Sequence, residues 1–170
     1  MNKGQDRSFG GRRQELLDGL ASIRRFAMSL TGNRADADDL LQSTVERLLT
    51  RGLPQEAPVV PYALTICRNL WVDEIRSRRT REVAKSEPTL AGEESTDGER
   101  TAIGELSLRE AQASIAALPE EQRAVLELVS VEGYSYKEAA SILEIPIGTV
   151  MSRLARARAA LVDRTESGGV

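Results

Sequence analysis

Three guanidiniums fall within six residues, Arg153, Arg156 and Arg158, in the stretch "IPIGTVMSRLARARAAL" of a 170-residue chain whose net charge is −3. A guanidinium is a planar fork of donors that matches phosphate oxygens and the major-groove edge of guanine, so this spacing suggests nucleic-acid recognition. At about 100° per residue, Val150, Leu154, Ala157 and Leu161 share one arc and must face a core. The opposite face carries Gly148, Ser152, Ala155, Arg156 and Ala159, with Thr149 beside them. Short side chains there let a helix enter a groove closely. This assigns Arg156 and Ser152 to base edges, and Arg153 and Arg158 on the flanks to phosphates. The competing reading is a solvated basic helix whose arginines only complement its C-terminal dipole.

Other chemistries have little to work with. The sequence has no histidine and a single cysteine, Cys67, which leaves out an internal disulfide, the usual zinc sites and imidazole catalysis. No Gly-rich phosphate loop or nucleophile elbow accompanies the carboxylates. Cys67 lies on the apolar side of an expected helix and reads as a core residue rather than a reactive thiol. Neither an enzyme nor a cofactor site is expected. No apolar run approaches the roughly 20 residues of a membrane span, and "MNKGQDRSFGGRRQ" lacks a signal peptide's apolar segment, so a cytoplasmic protein is expected.

The elements that must position these residues are all helical. Leu16, Leu20, Ile23, Ala27 and Leu30 recur at steps of three and four, predicting a helix from Arg13 to Leu30 that ends at Gly32 and Asn33. Ala37, Leu40, Leu41, Thr44, Val45, Leu48 and Leu49 predict a second, to about Thr50, with Asp36, Asp38 and Asp39 at its positive pole. "GLPQEAPVVP" holds three prolines and reads as a loop of constrained shape, with Pro61 in the first turn of a third helix. That helix carries Ala63, Ile66, Cys67, Leu70 and Ile75 on one side, and from Arg68 to Arg81 it sets five bases against two acids. Such a cluster suits phosphates. Trp71 suits either packing or stacking on an unpaired base.

Residues 82–105 hold seven acids and two bases, a balance of −5, with few large apolar side chains, and read as a flexible linker between two domains. Beyond it, Leu106–Ala117 and Glu120–Glu132 are expected helices, the second closed by Gly133 in a left-handed cap. Ser135 and Glu138 form an S-x-x-E capping box opening a short helix, Tyr136–Leu143; "EIP" then turns the chain into a last helix from about Ile147. Two short helices, a tight turn and an arginine-bearing second helix are the outline of a helix-turn-helix.

"LPEEQRAVLELVSVEGYSYKEAASILEIPIGTVMSRLARARAAL" resembles the −35-binding domain of bacterial RNA polymerase sigma factors of the extracytoplasmic function (ECF) group. "DADDLLQSTVERLL" and "YALTICRNLWVDEIRSRR" resemble that group's first-domain helix and its −10-reading helix. The resemblance implies an all-α chain of two small domains, 10–81 and 106–164, about the linker. It implies binding of core RNA polymerase, at the clamp helices of the largest subunit through Asp36, Asp39, Leu40, Gln42 and Glu46, and at the flap of the second largest subunit. It makes Gly52 to Val60 a loop that captures a flipped −10 base, gives Asn69 and Asp73 a place in −10 recognition, and sets Arg76, Arg78 and Arg79 on the nontemplate strand. Thr149, Ser152, Arg153, Arg156 and Arg158 would meet the −35 duplex. An anti-sigma protein is the implied regulator.

From the residues alone, the acids of the second helix also read as an N-terminal cap with a solvated face, and the prolyl loop as a rigid connector. Met151 stands where many relatives carry Lys or Arg, and Tyr62 where tryptophan is common; both bear on the promoter sequence read. The rivals are a stand-alone helix-turn-helix regulator and a sigma-like decoy for an anti-sigma protein. The free chain is expected to bind promoter DNA poorly until polymerase sets the spacing between its domains.

Overall fold

The computed structural model describes the backbone of residues 3–85 and 104–167, with side chains described over 10–81 and most of 109–163. All regular structure among these residues is helical: α1 (Lys3–Thr31), α2 (Arg34–Arg51), α3 (Val59–Lys85), α4 (Gly104–Ala116), α5 (Glu120–Leu126), α6 (Tyr136–Leu143) and α7 (Ile147–Ser167). None of these helices is long and apolar enough to cross a membrane.

Helix α1 begins ten residues before the expected start at Arg13. Gly10 and Gly11 disfavour a helix interior by roughly 1 kcal/mol each, but α1 continues through them. Asn33 caps α2, its side chain accepting from the Asp36 amide at 2.9 Å. Ala37, Leu40, Thr44 and Leu48 face inward, and the Thr44 hydroxyl donates to the Leu40 carbonyl at 2.7 Å. Leu49, placed on the apolar stripe by periodicity, is 54% exposed. Helix α3 starts at Val59, so the expected loop is shorter by two residues. Val59 is fully buried and leads an inward face of Ala63, Leu64, Ile66, Cys67 and Trp71. This face packs on α1 and α2. Helix α3 also runs on to Lys85, and α4 begins at Gly104, so both trim the linker expected at 82–105; residues 86–103 lie outside those described.

In the C-terminal half, α5 passes into a π-helical turn, Glu127–Val131, which closes on Gly133 at φ 77°. The Glu132 amide donates to the Glu127 carbonyl at 2.9 Å, the wider spacing of a π turn. The capping box of α6 is complete. The Ser135 amide donates to the Glu138 carboxylate at 2.8 Å, and the Glu138 amide donates back to the Ser135 hydroxyl at 3.2 Å. Glu144 then takes a left-handed conformation (φ 52°, ψ 46°), a turn usually given to glycine, and α7 follows. Val150, Leu154 and Ala157 of α7 are buried as the wheel predicts, and Leu161 is partly so.

The two halves are not separate bodies on a string. α5 and the π turn pack on α1, α6 packs on α3, and the buried residues of both halves form one continuous cluster. Gly19 of α1 permits a close helix crossing, since a Cβ there would collide with the Val60 side chain on α3.

Cys67 is wholly buried, and desolvation pushes its thiol up from about 9 to about 12, against a smaller opposing effect from a hydrogen bond with Thr44. The fold therefore retains this proton more tightly than the unfolded chain does. Below about pH 9 the resulting stabilisation is fully present, and it is lost as pH rises through the folded value near 12. Stability should fall between these limits by up to about 1.4 kcal/mol per pH unit from this group. Iodoacetamide at pH 8 should label urea-unfolded chain and leave native chain unlabelled; equal rates would show that Cys67 is accessible.

Candidate nucleic-acid and polymerase interfaces

Three surfaces gather the residues singled out by sequence. The first is the outer face of α7, where Ser152, Ala155, Arg156, Arg158 and Ala159 are exposed and Thr149 is partly so. Ser152 donates its hydroxyl to the Thr149 carbonyl at 3.1 Å, so its oxygen lies low on the helix surface. Met151 shares this face at 51% exposure. Arg153 behaves differently from its neighbours. Its guanidinium meets Glu121 of α5 at 2.8 Å and is 22% exposed, so in this state it ties the last helix to α5.

The second surface is α3 with the loop before it. Asp73 and Arg76 are both largely exposed and lie 3.9 Å apart. Arg79 is exposed. Arg78 bonds Glu74 at 2.8 Å, approaches Asp36 of α2 at 3.8 Å and lies 5.5 Å over the Trp71 ring. Trp71 itself is 7% exposed and packs, and its indole Nε1 donates to Glu120 of α5 at 2.8 Å. Asn69 is half-buried, its amide oxygen taken by Arg68 at 2.8 Å; the same Arg68 nitrogen reaches Glu144 of α6 at 2.8 Å.

The loop itself is held in a way sequence did not show. Gly52 opens it at φ 89°, and Leu53 plugs into the core. Arg12 of α1 donates to the carbonyls of Gln55 and Ala57, and the Glu15 carboxylate accepts from the Val59 amide at 2.7 Å. Arg12 and Glu15 are 3.4 Å apart, so one ion pair grips both ends of the turn. With the first helix expected to start at Arg13, a charge pair between Arg12 and Glu15 carried no signal of this role.

The third surface is α2. Asp39, Gln42 and Glu46 are exposed along one stripe, with Gln42 bonded to Glu46 at 3.1 Å. Asp36 adjoins them but is engaged by the Asn33 side chain at 2.9 Å. Leu40 is 8% exposed and belongs to the core, so it supports the helix from inside rather than offering a docking contact. Asp38, absent from the expected set, is held below the usual carboxylate range by its hydrogen bonds from Arg24 at 2.7 and 3.2 Å.

Between the halves sit residues that periodicity could not assign. Arg123 donates to the carbonyls of Ser29 (2.9 Å), Leu118 (2.6 Å) and Ala116 (3.2 Å). Glu132 accepts from Arg25 at 2.6 and 2.8 Å and from the Ser22 hydroxyl at 2.6 Å. Burial raises the carboxyls of Glu120 and Glu127; Glu127 feels the Glu132 charge as well, and among the described residues one of its oxygens accepts no hydrogen bond.

Among the described residues, seven helices ending in a capped helix-turn-helix define a protein of the helix-turn-helix class. Two sequence-family profiles match the chain, Sigma-70 region 2 over residues 19–81 and Sigma-70, region 4 over residues 108–161. The ECF RNA polymerase sigma factor EcfG of Rhodopseudomonas palustris is 37% identical over 151 residues, 88% of this chain and 82% of that protein. The ECF RNA polymerase sigma factor SigC of Mycobacterium tuberculosis is 36% identical, covering 76% and 70%. Among solved structures, the sigma factor RpoE of Bartonella quintana, in complex with the anti-sigma factor NepR, superposes with a TM-score of 0.74 at 31% identity over 91% of this chain and 96% of that one. The chain belongs to the ECF group of the sigma-70 family, the initiation factors of bacterial transcription.

Loss of the Arg12–Glu15 grip should free the loop without unfolding the helices. Arg12→Ala should cost about 1 kcal/mol of stability, below the usual range for charge-assisted bonds because the pair is partly exposed. Cleavage by a glutamate-specific protease after Glu56 should accelerate while the helical circular dichroism stays unchanged; an unaltered cleavage rate would show that the loop keeps its shape without Arg12.

Proposed function

We propose that this chain binds core RNA polymerase, sets α7 in the major groove of a −35 element and uses α3 with the 52–58 loop to hold the melted −10 strand. Family membership supports the overall role, and the surfaces support its division. The observation that carries the DNA-reading part is the outer face of α7: exposed Arg156 among Ser152, Ala155 and Ala159, on a helix whose other side is core. A helix so built can lie close to base edges while Arg156 reaches them and Arg158 meets phosphate. On α3, Arg76, Arg78 and Arg79 supply charge for the backbone of a single strand, and Asn69 is the candidate base contact. The clamped, proline-bearing loop suits a pocket shaped before its base arrives.

Contacts to the polymerase clamp fall to Asp36, Asp39, Gln42 and Glu46, with the C-terminal half meeting the flap. The docked state of this chain superposes on a sigma factor solved with its anti-sigma protein. We infer that an anti-sigma protein likewise restrains this one.

Run-off transcription from a promoter library should yield specific starts only when this chain is added to core polymerase. In that assay Arg156→Ala should lose roughly 1–3 kcal/mol of discrimination at one −35 base pair, whereas Arg158→Ala should weaken all promoters alike. Identical behaviour of the two variants would remove the assigned division between base and phosphate contacts.

A further inference from the structure

The inference rests on the functional reading just given. The −35 and −10 elements lie about 25 base pairs apart, on the order of 85 Å at 3.4 Å per step of B-form DNA. In the structure α6 packs directly on α3, so the two reading surfaces cannot both be engaged while the halves stay docked.

The polar contacts that hold the halves together mostly share one polarity: the C-terminal half supplies the carboxylates and the N-terminal half the donors. Glu120 takes the Trp71 indole, Glu144 takes Arg68, and Glu132 takes Arg25 and Ser22. Two of these land on the −10 surface. The Arg68 nitrogen bridges Glu144 and the Asn69 amide oxygen at 2.8 Å each, which turns the candidate base-reading group toward its own chain. Trp71 is buried between Glu120 and the Arg78 guanidinium. Glu144 reaches Arg68 from a left-handed backbone turn in which glycine would be less strained.

We propose that Glu120, Glu132 and Glu144 form an electrostatic latch: carboxylates of the −35-reading half occupy groups on the −10-reading half, so docking and single-strand binding exclude one another. The apparent affinity of the free chain for single strands is its intrinsic affinity multiplied by the undocked fraction. Salt weakens the latch as well as the DNA contacts, so the salt dependence of binding is shallower in the wild-type chain than in an unlatched one.

Trp71 is the sole tryptophan and reports the latch directly. The test uses full-length chain and a fluorescein-labelled single strand of about 12 mixed-sequence nucleotides. The double variant Glu120→Gln, Glu144→Gln should bind about tenfold more tightly with a steeper salt slope, shift Trp71 emission to the red and increase the radius of gyration. Glu144→Gly, which relaxes the backbone turn, should move all readouts the same way by a smaller amount, and separates latch opening from misfolding. Glu121→Gln, which removes a neighbouring acid facing Arg153, should leave emission and radius unchanged. Unchanged affinity in the double variant, whether or not the emission and radius move, would overturn the latch. A parallel run-off assay with core polymerase addresses the functional reading separately: absence of initiation by both wild type and variant sinks that reading, while initiation by both with unaltered single-strand affinity sinks the latch alone.

Discussion

The guanidinium of Arg123 closes the ends of two helices at once. It donates to Ser29 near the C-terminus of α1 and to Ala116 and Leu118 where α4 gives way to α5. Carbonyls at a helix C-terminus have no partner within the helix, and burying them without one is costly. By supplying a donor from the other half, Arg123 lets α5 and the π turn approach α1 with Ala124, Val125 and Leu128 fully or almost fully buried. Gly32, at φ 76° just past the end of α1, leaves room for the fork: a Cβ there would stand 3.3 Å from it. Most interfacial acids are positioned by that approach.

Once α5 lies on α1, its N-terminal turn brings Glu120 to Trp71, and the π turn aims Glu127 and Glu132 at Arg25. The wider turn matters because it shifts register just before Gly133, turning two acids toward one arginine. Burial, with the Glu132 charge adding to it, raises the Glu127 carboxyl, and one of its oxygens accepts no hydrogen bond among the described residues. Opening the interface would return that carboxylate to water while exposing the apolar residues packed between the halves.

The helix-turn-helix is built to different standards. A complete capping box opens α6, a left-handed residue ends it, and three fully or nearly buried residues seat α7. The recognition helix is therefore fixed relative to α6, and it also packs on α5, where Glu121 holds Arg153 on its flank. Apolar packing and caps seat α7, whereas the halves meet through both a shared apolar cluster and charged pairs.

Sequence by itself determined the helices, the loop and which face of α7 lies outward. These follow from periodicity, caps and prolines, which act over at most a few residues: Ser135 with Glu138, Asn33 with Asp36, and Val150 with Leu154 and Ala157 were all legible. The start of α1 was missed because Gly10 and Gly11 oppose helix locally, and Leu40 was placed on a docking surface because family pattern does not state which side of the helix is core. What only the tertiary structure decided is how the two halves meet. Arg12 and Arg123, and Glu120, Glu132 and Glu144, look like ordinary solvated charges along the chain. Their partners lie tens of residues away, and no local spacing encodes a contact made by packing helices from opposite ends of the sequence.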